Sequence, residues 1–284
     1  MNEPRLTRRR FLRATLGIGL AGGALAVGGG QYITRWEPAW IQVVRVSLPI
    51  PDLADGLIGM RVVQISDIHL YPYTTEELVT RAVERINALS PDLVLMTGDY
   101  VTDSIGAIEG LIPILSRLNP RLGTFASLGN HDGWVNRYRV TEGLTQAGVR
   151  VLANEGLSLA HASAVLYVAG LDDGWTGYPS LNRALEAMDR PQPVVLLMHE
   201  PDFADLYAQD GRVTLQLSGH SHGGQVRLPG MGAPVLPWMA SRYDQGLYQL
   251  GQMWLYTNRG LGMTGIPVRF NCRPEVTLFT LERA

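Results

Sequence analysis

From residue 59 onward, short apolar runs alternate with stretches whose apolar residues recur every three or four positions. The runs at 61–66, 93–97, 123–128, 165–170, 194–198 and 213–218 are rich in Val, Leu and Ile. They are near-continuous rather than alternating, as expected of strands covered on both faces. After Tyr73 the period changes. Thr74 and Glu77 fit a capping box, and Leu78, Ala82, Ile86 and Leu89 form one stripe of a helix. Further helices are predicted at 105–118, 140–147 (with Gly148 as the stop), 181–188 and 203–208. Residues 247–284 read as strands and turns, and residues 31–58 as a lead-in holding an edge strand and a turn. The alternation predicts an α/β domain with one shared core over 59–284, and no linker marks a second domain.

The first thirty residues break this pattern. Arg8-Arg9-Arg10-Phe11-Leu12 precedes an uncharged, Gly- and Ala-rich stretch from 14 to 30. A basic region before an apolar run is an export-signal pattern, and the paired arginines resemble the twin-arginine signal. The expectation is an exported protein handled by the twin-arginine machinery. Its leader is either cleaved or kept as an anchor on the outer face of the inner membrane. The 284-residue chain has 46% hydrophobic and 18% charged residues, which excludes a largely disordered protein. Its net charge is −2, and −6 once the five arginines and one acid of residues 1–30 are set aside, so no basic surplus points to nucleic acid. All 24 basic residues are Arg, which excludes a P-loop lysine, a Schiff-base lysine and a Ser–Lys dyad. Cys272 is the only cysteine, so the core or a bound metal has to stabilise the fold in place of a disulfide.

The residues that carry chemistry stand immediately after the apolar runs. The runs lead into Asp67-Ile68-His69, Gly98-Asp99, Gly129-Asn130-His131-Asp132, His199-Glu200 and Gly219-His220-Ser221-His222-Gly223-Gly224. Five of the six histidines occupy these strand ends, where open α/β sheets bind ligands; only His161, read as surface or loop, does not. Asp67 and His69 are two apart, as are His220 and His222, so in extended backbone each pair points to one side. Neighbouring glycines allow sharp turns and close approach to an anion. Asp172-Asp173 fits either a turn or a support for the site. Two carboxylates, one amide and up to five imidazoles are too many ligands for one tetrahedral ion. They suit two cations sharing a carboxylate, and mixed N/O ligation without thiolate favours Mn, Fe, Zn or Co over Mg or Ca. Two divalent ions, two carboxylates and one hydroxide leave the site at about +1, which favours a phosphate oxyanion.

In order and spacing these blocks resemble those of the calcineurin-like metallophosphoesterases. The resemblance implies two mixed β-sheets packed as a sandwich flanked by helices, four layers in all. It implies that Asp67, His69 and His222 hold one ion, that Asn130, His199 and His220 hold the other, and that Asp99 bridges them. His131 would lie outside both coordination spheres as leaving-group acid and phosphate contact. The implied activity is hydrolysis of phosphate mono- or diesters by hydroxide held on the ions. Residues 223–229, 259–262 and 265–271 are similar to the exported bacterial branch, which is related to one form of UDP-2,3-diacylglucosamine pyrophosphohydrolase of lipid A synthesis. The export signal argues against that second activity, whose substrate is processed on the cytoplasmic side. A non-catalytic scaffold on the same fold is a third reading, opposed by the full ligand set. Arg259 is expected in a surface ion pair, contact with substrate phosphate being the alternative. The apolar loop 231–238 is expected to pack into the core, contact with membrane lipid being the alternative.

Overall fold

The buried apolar runs become the central strands of two sheets in a computed structural model that describes residues 26–284. The arginine motif and most of the apolar leader lie outside the described residues. Residues 26–31 are helical and run into a π-helical turn, Tyr32–Trp36. Among the described residues no helix is long and apolar enough to cross a membrane.

The first sheet contains β1 (Gln42–Ile50), β2 (Arg61–Ile65), β3 (Leu93–Thr97), β4 (Thr124–Ser127), β5 (Val149–Val151) and β12 (Glu275–Arg283), in the order β1-β12-β2-β3-β4-β5. Strands β2 to β5 are parallel; β12 runs against β2 and carries β1 parallel on its far side. The second sheet contains β6 (Glu155–His161), β7 (Ala164–Gly170), β8 (Val194–Leu197), β9 (Leu215–Ser218), β10 (Gly246–Leu250) and β11 (Met253–Thr257), in the order β10-β11-β9-β8-β7-β6. Its four inner strands are parallel and its two edges antiparallel. The expected edge strand of the lead-in is β1.

The alternation of side chains divides the apolar residues into layers. Leu93 and Leu95 of β3 face the second sheet and meet Val195, Leu197 and Leu217. Val94 and Met96 face the other way, onto α1 (Glu76–Ala88), α2 (Ala107–Leu115) and α3 (Asn130–Gln146). The far side of the second sheet is covered by α4 (Leu181–Ala184), α5 (Ala204–Asp210) and its loops. Helix, sheet, sheet and helix form four layers with three apolar seams. The single shared core expected from the strand pattern is corrected on this point: a strand buried on both faces belongs to two seams at once.

Local differences have local causes. The N-cap of α1 is Thr75, whose hydroxyl accepts from Leu78 N–H at 3.3 Å, while Thr74 is buried and accepts from Met263 N–H. Helix α3 starts ten residues earlier than periodicity suggests, on the polar residues after β4, and breaks at Asn136. The predicted helix at 181–188 keeps only its first turn.

Candidate metal centre

Strands β2, β3, β4, β8 and β9 all end at one end of the sandwich, and every expected ligand lies just past a strand end. Asp67, His69, Asp99, Asn130 and His131 come from the first sheet; His199, His220 and His222 come from the second. The backbone there is not extended. Asp67, His69, Asp99, His220 and His222 all have φ between 44° and 66°, the left-handed region. Each i, i+2 pair therefore converges through repeated left-handed turns, which corrects the expectation of an extended segment. The turns need small neighbours. Gly98 has φ 95°, and a Cβ there would stand 2.6 Å from both Gly129 N and His199 Nδ1.

Donor atoms meet at short range. Nε2 of His69 lies 3.1 Å from Nε2 of His222, which is 3.3 Å from Asp67 Oδ1. On the other side His199 Nε2 is 3.2 Å from Asn130 Oδ1 and 3.2 Å from His220 Nδ1. Asp99 Oδ2 sits between the groups, 3.3 Å from His69 Nε2 and 3.2 Å from His199 Nε2. The sets Asp67, His69, His222 and Asp99, His199, His220 each bring one donor atom per residue within 4.8 Å of the others. His131 makes a third such set with His69 and Asp99, but its position differs: it is half-buried, and its backbone N–H donates to Asp99 Oδ1 at 2.9 Å.

Backbone carbonyls orient the rings. Nδ1 of His199 bonds Thr97 O at 2.6 Å, Nδ1 of His131 bonds Thr102 O at 2.7 Å, and Nε2 of His220 bonds Trp238 O at 2.8 Å. Each contact places the proton on the outer nitrogen and leaves the inner lone pair for the site. Burial pushes His220 down to about 4, helped by His199, and burial with His69 depresses His222 well below the usual imidazole range. Both rings are thus neutral at pH 7, the form that coordinates a cation. Burial opposes a charge on Asp99, but His199 and His69 outweigh it and hold its carboxyl well below the usual range. Burial also opposes protonation of His199, whose pKa Asp99, Asp67 and Glu200 raise all the same.

The residues fit cations. Facing imidazole nitrogens 3.1 Å apart hold at most one proton between them, and Nδ1 of His69 and of His222 are buried without a hydrogen-bond partner. Donor separations of 3.1–3.3 Å match the edges of a coordination polyhedron with bonds of roughly 2.0–2.2 Å.

Asp132 is the organiser that the spacing did not single out. It is buried, and its carboxylate accepts N–H bonds from Gly129 and Asp99 through Oδ2 and from Tyr100 and Val101 through Oδ1, tying the β3 and β4 loops together. Burial, then the charge of Asp99, raises its pKa to about 7. Asp172 and Asp173 are turn residues that also support the site: Asp172 pairs with Arg137 at 2.7 Å, and Asp173 takes Thr176 N–H, fixing the loop that carries Trp175. His161 ends β6, where Nδ1 bonds Gly56 O, far from the ligands in role and contact. Arg259 does pair with Glu275, but the pair is largely buried rather than on the surface, with side chains 15% and 2% exposed. Loop 231–238 is not core: Met231, Val235 and Trp238 are exposed, while the Trp238 carbonyl turns inward to His220.

The calcineurin-like phosphoesterase profile matches residues 60–224, from the start of β2 past the last histidine. The metallophosphoesterase YkuE of Bacillus subtilis is 39% identical over 284 residues, covering 98% of both chains. The phosphodiesterase YaeI of Escherichia coli is 33% identical over 280 residues, covering 97% of this chain and 99% of its own. Among solved structures, TT1561 of Thermus thermophilus aligns with a TM-score of 0.51 at 14% identity over 71% of this chain and 90% of its own, a likeness of fold.

Proposed function

Because the chain belongs to the calcineurin-like phosphoesterase family, we propose that this metal-dependent phosphoesterase works with two divalent ions, of Mn, Fe or Zn, on phosphate mono- or diesters outside the cytoplasm. The carrying observation is Asp99 Oδ2, placed within 3.3 Å of an imidazole from each half of the ligand set. Asp67, His69 and His222 would hold one ion and Asn130, His199 and His220 the other, with Asp99 shared. When bound, the ions supply Lewis-acid stabilisation and a water acidic enough to react near neutral pH.

The chain's own groups do the rest. Asp99 sets the spacing of the two halves, and the His131 backbone N–H fixes its outer oxygen. His131 keeps Nδ1 on Thr102 O, so its Nε2 faces the site and, in the protonated ring, is the atom that can give a proton to a departing alkoxide. The YaeI relative is named a phosphodiesterase, which supports diesters as the first substrates to test. The arginine-headed leader supports export by the twin-arginine machinery, with the chain released or anchored. It also argues against the UDP-2,3-diacylglucosamine pyrophosphohydrolase reading, which needs the site on the cytoplasmic side.

Purified full chain should contain about two ions by elemental analysis and hydrolyse bis-p-nitrophenyl phosphate until chelated. Asp99→Asn should lose both ions and activity. His131→Ala should keep the ions and lose about 10²–10⁴-fold in kcat, most with alkyl leaving groups. Hydrolysis indifferent to chelation would refute the proposal.

A further inference from the structure

The floor of the site is charged, but its walls are not. A cavity of about 470 Å³ opens over Asp99, Asn130 and His131, and the side chains above them are Trp134, Trp175, Gln225, Val235, Pro237 and Ile266. Beyond the wall the apolar surface continues outward. Met231 is 74% exposed, Val235 76%, Trp238 64% and Ile266 53%. Isolated exposed apolar residues are ordinary, but a contiguous group around the mouth of a site marks an interaction surface.

The topology says what that surface meets. β1 runs against β2, and its first residue, Gln42, pairs with Glu275 just beyond the Thr277–Gln64 pair. The chain before β1 therefore leaves the fold at the end that holds the metal ligands. There Ile33 O accepts from Arg269 N–H at 2.9 Å, three residues from Ile266 on the rim. Helical residues 26–31 are largely exposed, and the sequence is uncharged from 14 to 30 and headed by Arg8, Arg9, Arg10 and Arg13. The described residues that follow the apolar leader and the apolar rim thus share one end of the molecule.

We propose that the rim rests on a lipid bilayer and that the substrate is a phosphate ester whose apolar tail lies along the tryptophan wall, with its phosphate at the ions. This rests on the phosphoesterase reading of the site and names its substrate class. The wall is poorly made for a nucleoside. Trp134, Trp175 and Trp238 contact one another edge-on, at 79° and 85° with centroids 5.0 and 5.4 Å apart, so they leave no parallel slot for a base. Gln225 is spent on backbone: its Nε2 donates to Thr264 O and its Oε1 accepts from Thr264 N–H. An alkyl chain needs neither a slot nor a donor, and an aromatic wall fits it.

The test is a series of p-nitrophenyl alkyl phosphodiesters, methyl to octyl, each kept below its aggregation concentration. With the full-length metal-loaded chain, kcat/KM should rise about two- to fourfold per methylene until the wall is filled. Val235→Ser with Ile266→Ser, both on the cavity wall, should lower the octyl-to-methyl ratio at least fivefold. A flat series with an active methyl ester overturns the substrate class and leaves the phosphoesterase reading standing. A nucleoside p-nitrophenyl ester outrunning the octyl ester also overturns it. No metal-dependent turnover of the methyl ester defeats the phosphoesterase reading itself, and the substrate class falls with it. Bilayer contact is read separately, by tryptophan quenching of the full chain in vesicles of brominated against ordinary phosphatidylcholine. Trp238→Phe should reduce the quenched fraction; an unchanged fraction means the rim does not touch the lipid.

Discussion

An aspartate or histidine in the left-handed region is strained by roughly 1–3 kcal/mol, and here five of them adjoin one site. Such strain persists only where surrounding contacts overdetermine it, and Asp132 is the clearest of those contacts. The candidate ligands that the fold brings together are legible in the sequence, because His and Asp after apolar runs serve packing poorly. Asp132 belongs to the same Gly-Asn-His-Asp block but carries no mark that separates a ligand from a residue bonding backbone N–H groups. Asp132→Ala should leave four buried donors unmatched and cost about 3 kcal/mol or more, read as a drop in the urea midpoint, with metal content falling too. A second expectation concerns His220, whose folded pKa of about 4 lies below the ordinary 6.5. Between these values the unfolded chain binds the proton and the folded chain does not, so stability is lost as pH falls from about 6.5 to about 4. In metal-stripped protein, wild type should therefore lose stability relative to His220→Gln across that window. A difference that stays constant with pH would contradict the depressed imidazole. His199, shifted upward, is protonated in both states below 6.5 and adds no slope there.

At the scale of elements, legibility tracks burial. Strands β3 and β8 are readable because nearly every position is apolar and covered on both faces, and β2 and β9 because their Val, Ile and Leu are equally covered although Gln64 and Gln216 interrupt them. β6 escapes the pattern, since its residues alternate between half-buried and exposed along an edge and include Glu155, Ser158 and His161. The start of α3 escapes it because Asn130 and His131 are there for the site, and helix periodicity begins only after the break at Asn136. The link between strand and ligand is steric. At Gly98 a side chain would strike the Gly129 backbone and the His199 ring, in a left-handed conformation that already favours glycine. Gly98→Ala should fold with metal content below one ion per chain. Gly211→Ala is the control. It shares a positive φ of 81° but meets nothing within 4 Å, so it should cost only about 1–2 kcal/mol and keep its ions. Equal metal loss in both variants would show that backbone strain, rather than close approach, is what matters at Gly98.

At the scale of the whole molecule, the site lies where two sheets meet. Periodicity can count buried strands but cannot assign them to sheets, because a strand covered on both faces looks the same in a one-sheet and a two-sheet fold. Only the resemblance to a family points to a sandwich. The consequence is mechanical. His69, Asp99 and Asn130 hang from the first sheet, His199 and His222 from the second, and the donor atoms of His69 and His222, Asp99 and His199, and Asn130 and His199 stand 3.1–3.2 Å apart across the seam. Cations held there join the sheets in the folded chain and have no such site in the unfolded one, so binding stabilises the fold by mass action. Free metal at about 1,000 times its dissociation constant contributes about 4 kcal/mol. For a domain of this size about 1 kcal/mol moves Tm by roughly 2–4 °C. Chelation should therefore lower Tm by about 8–16 °C, and readdition of metal should restore it. Asp99→Asn, which cannot bridge the two halves, should melt near the chelated wild type and respond little to either treatment. If chelated and loaded wild-type protein melt together, the ions do not join the sheets, and the ligand set is then held by the backbone turns and Asp132 alone.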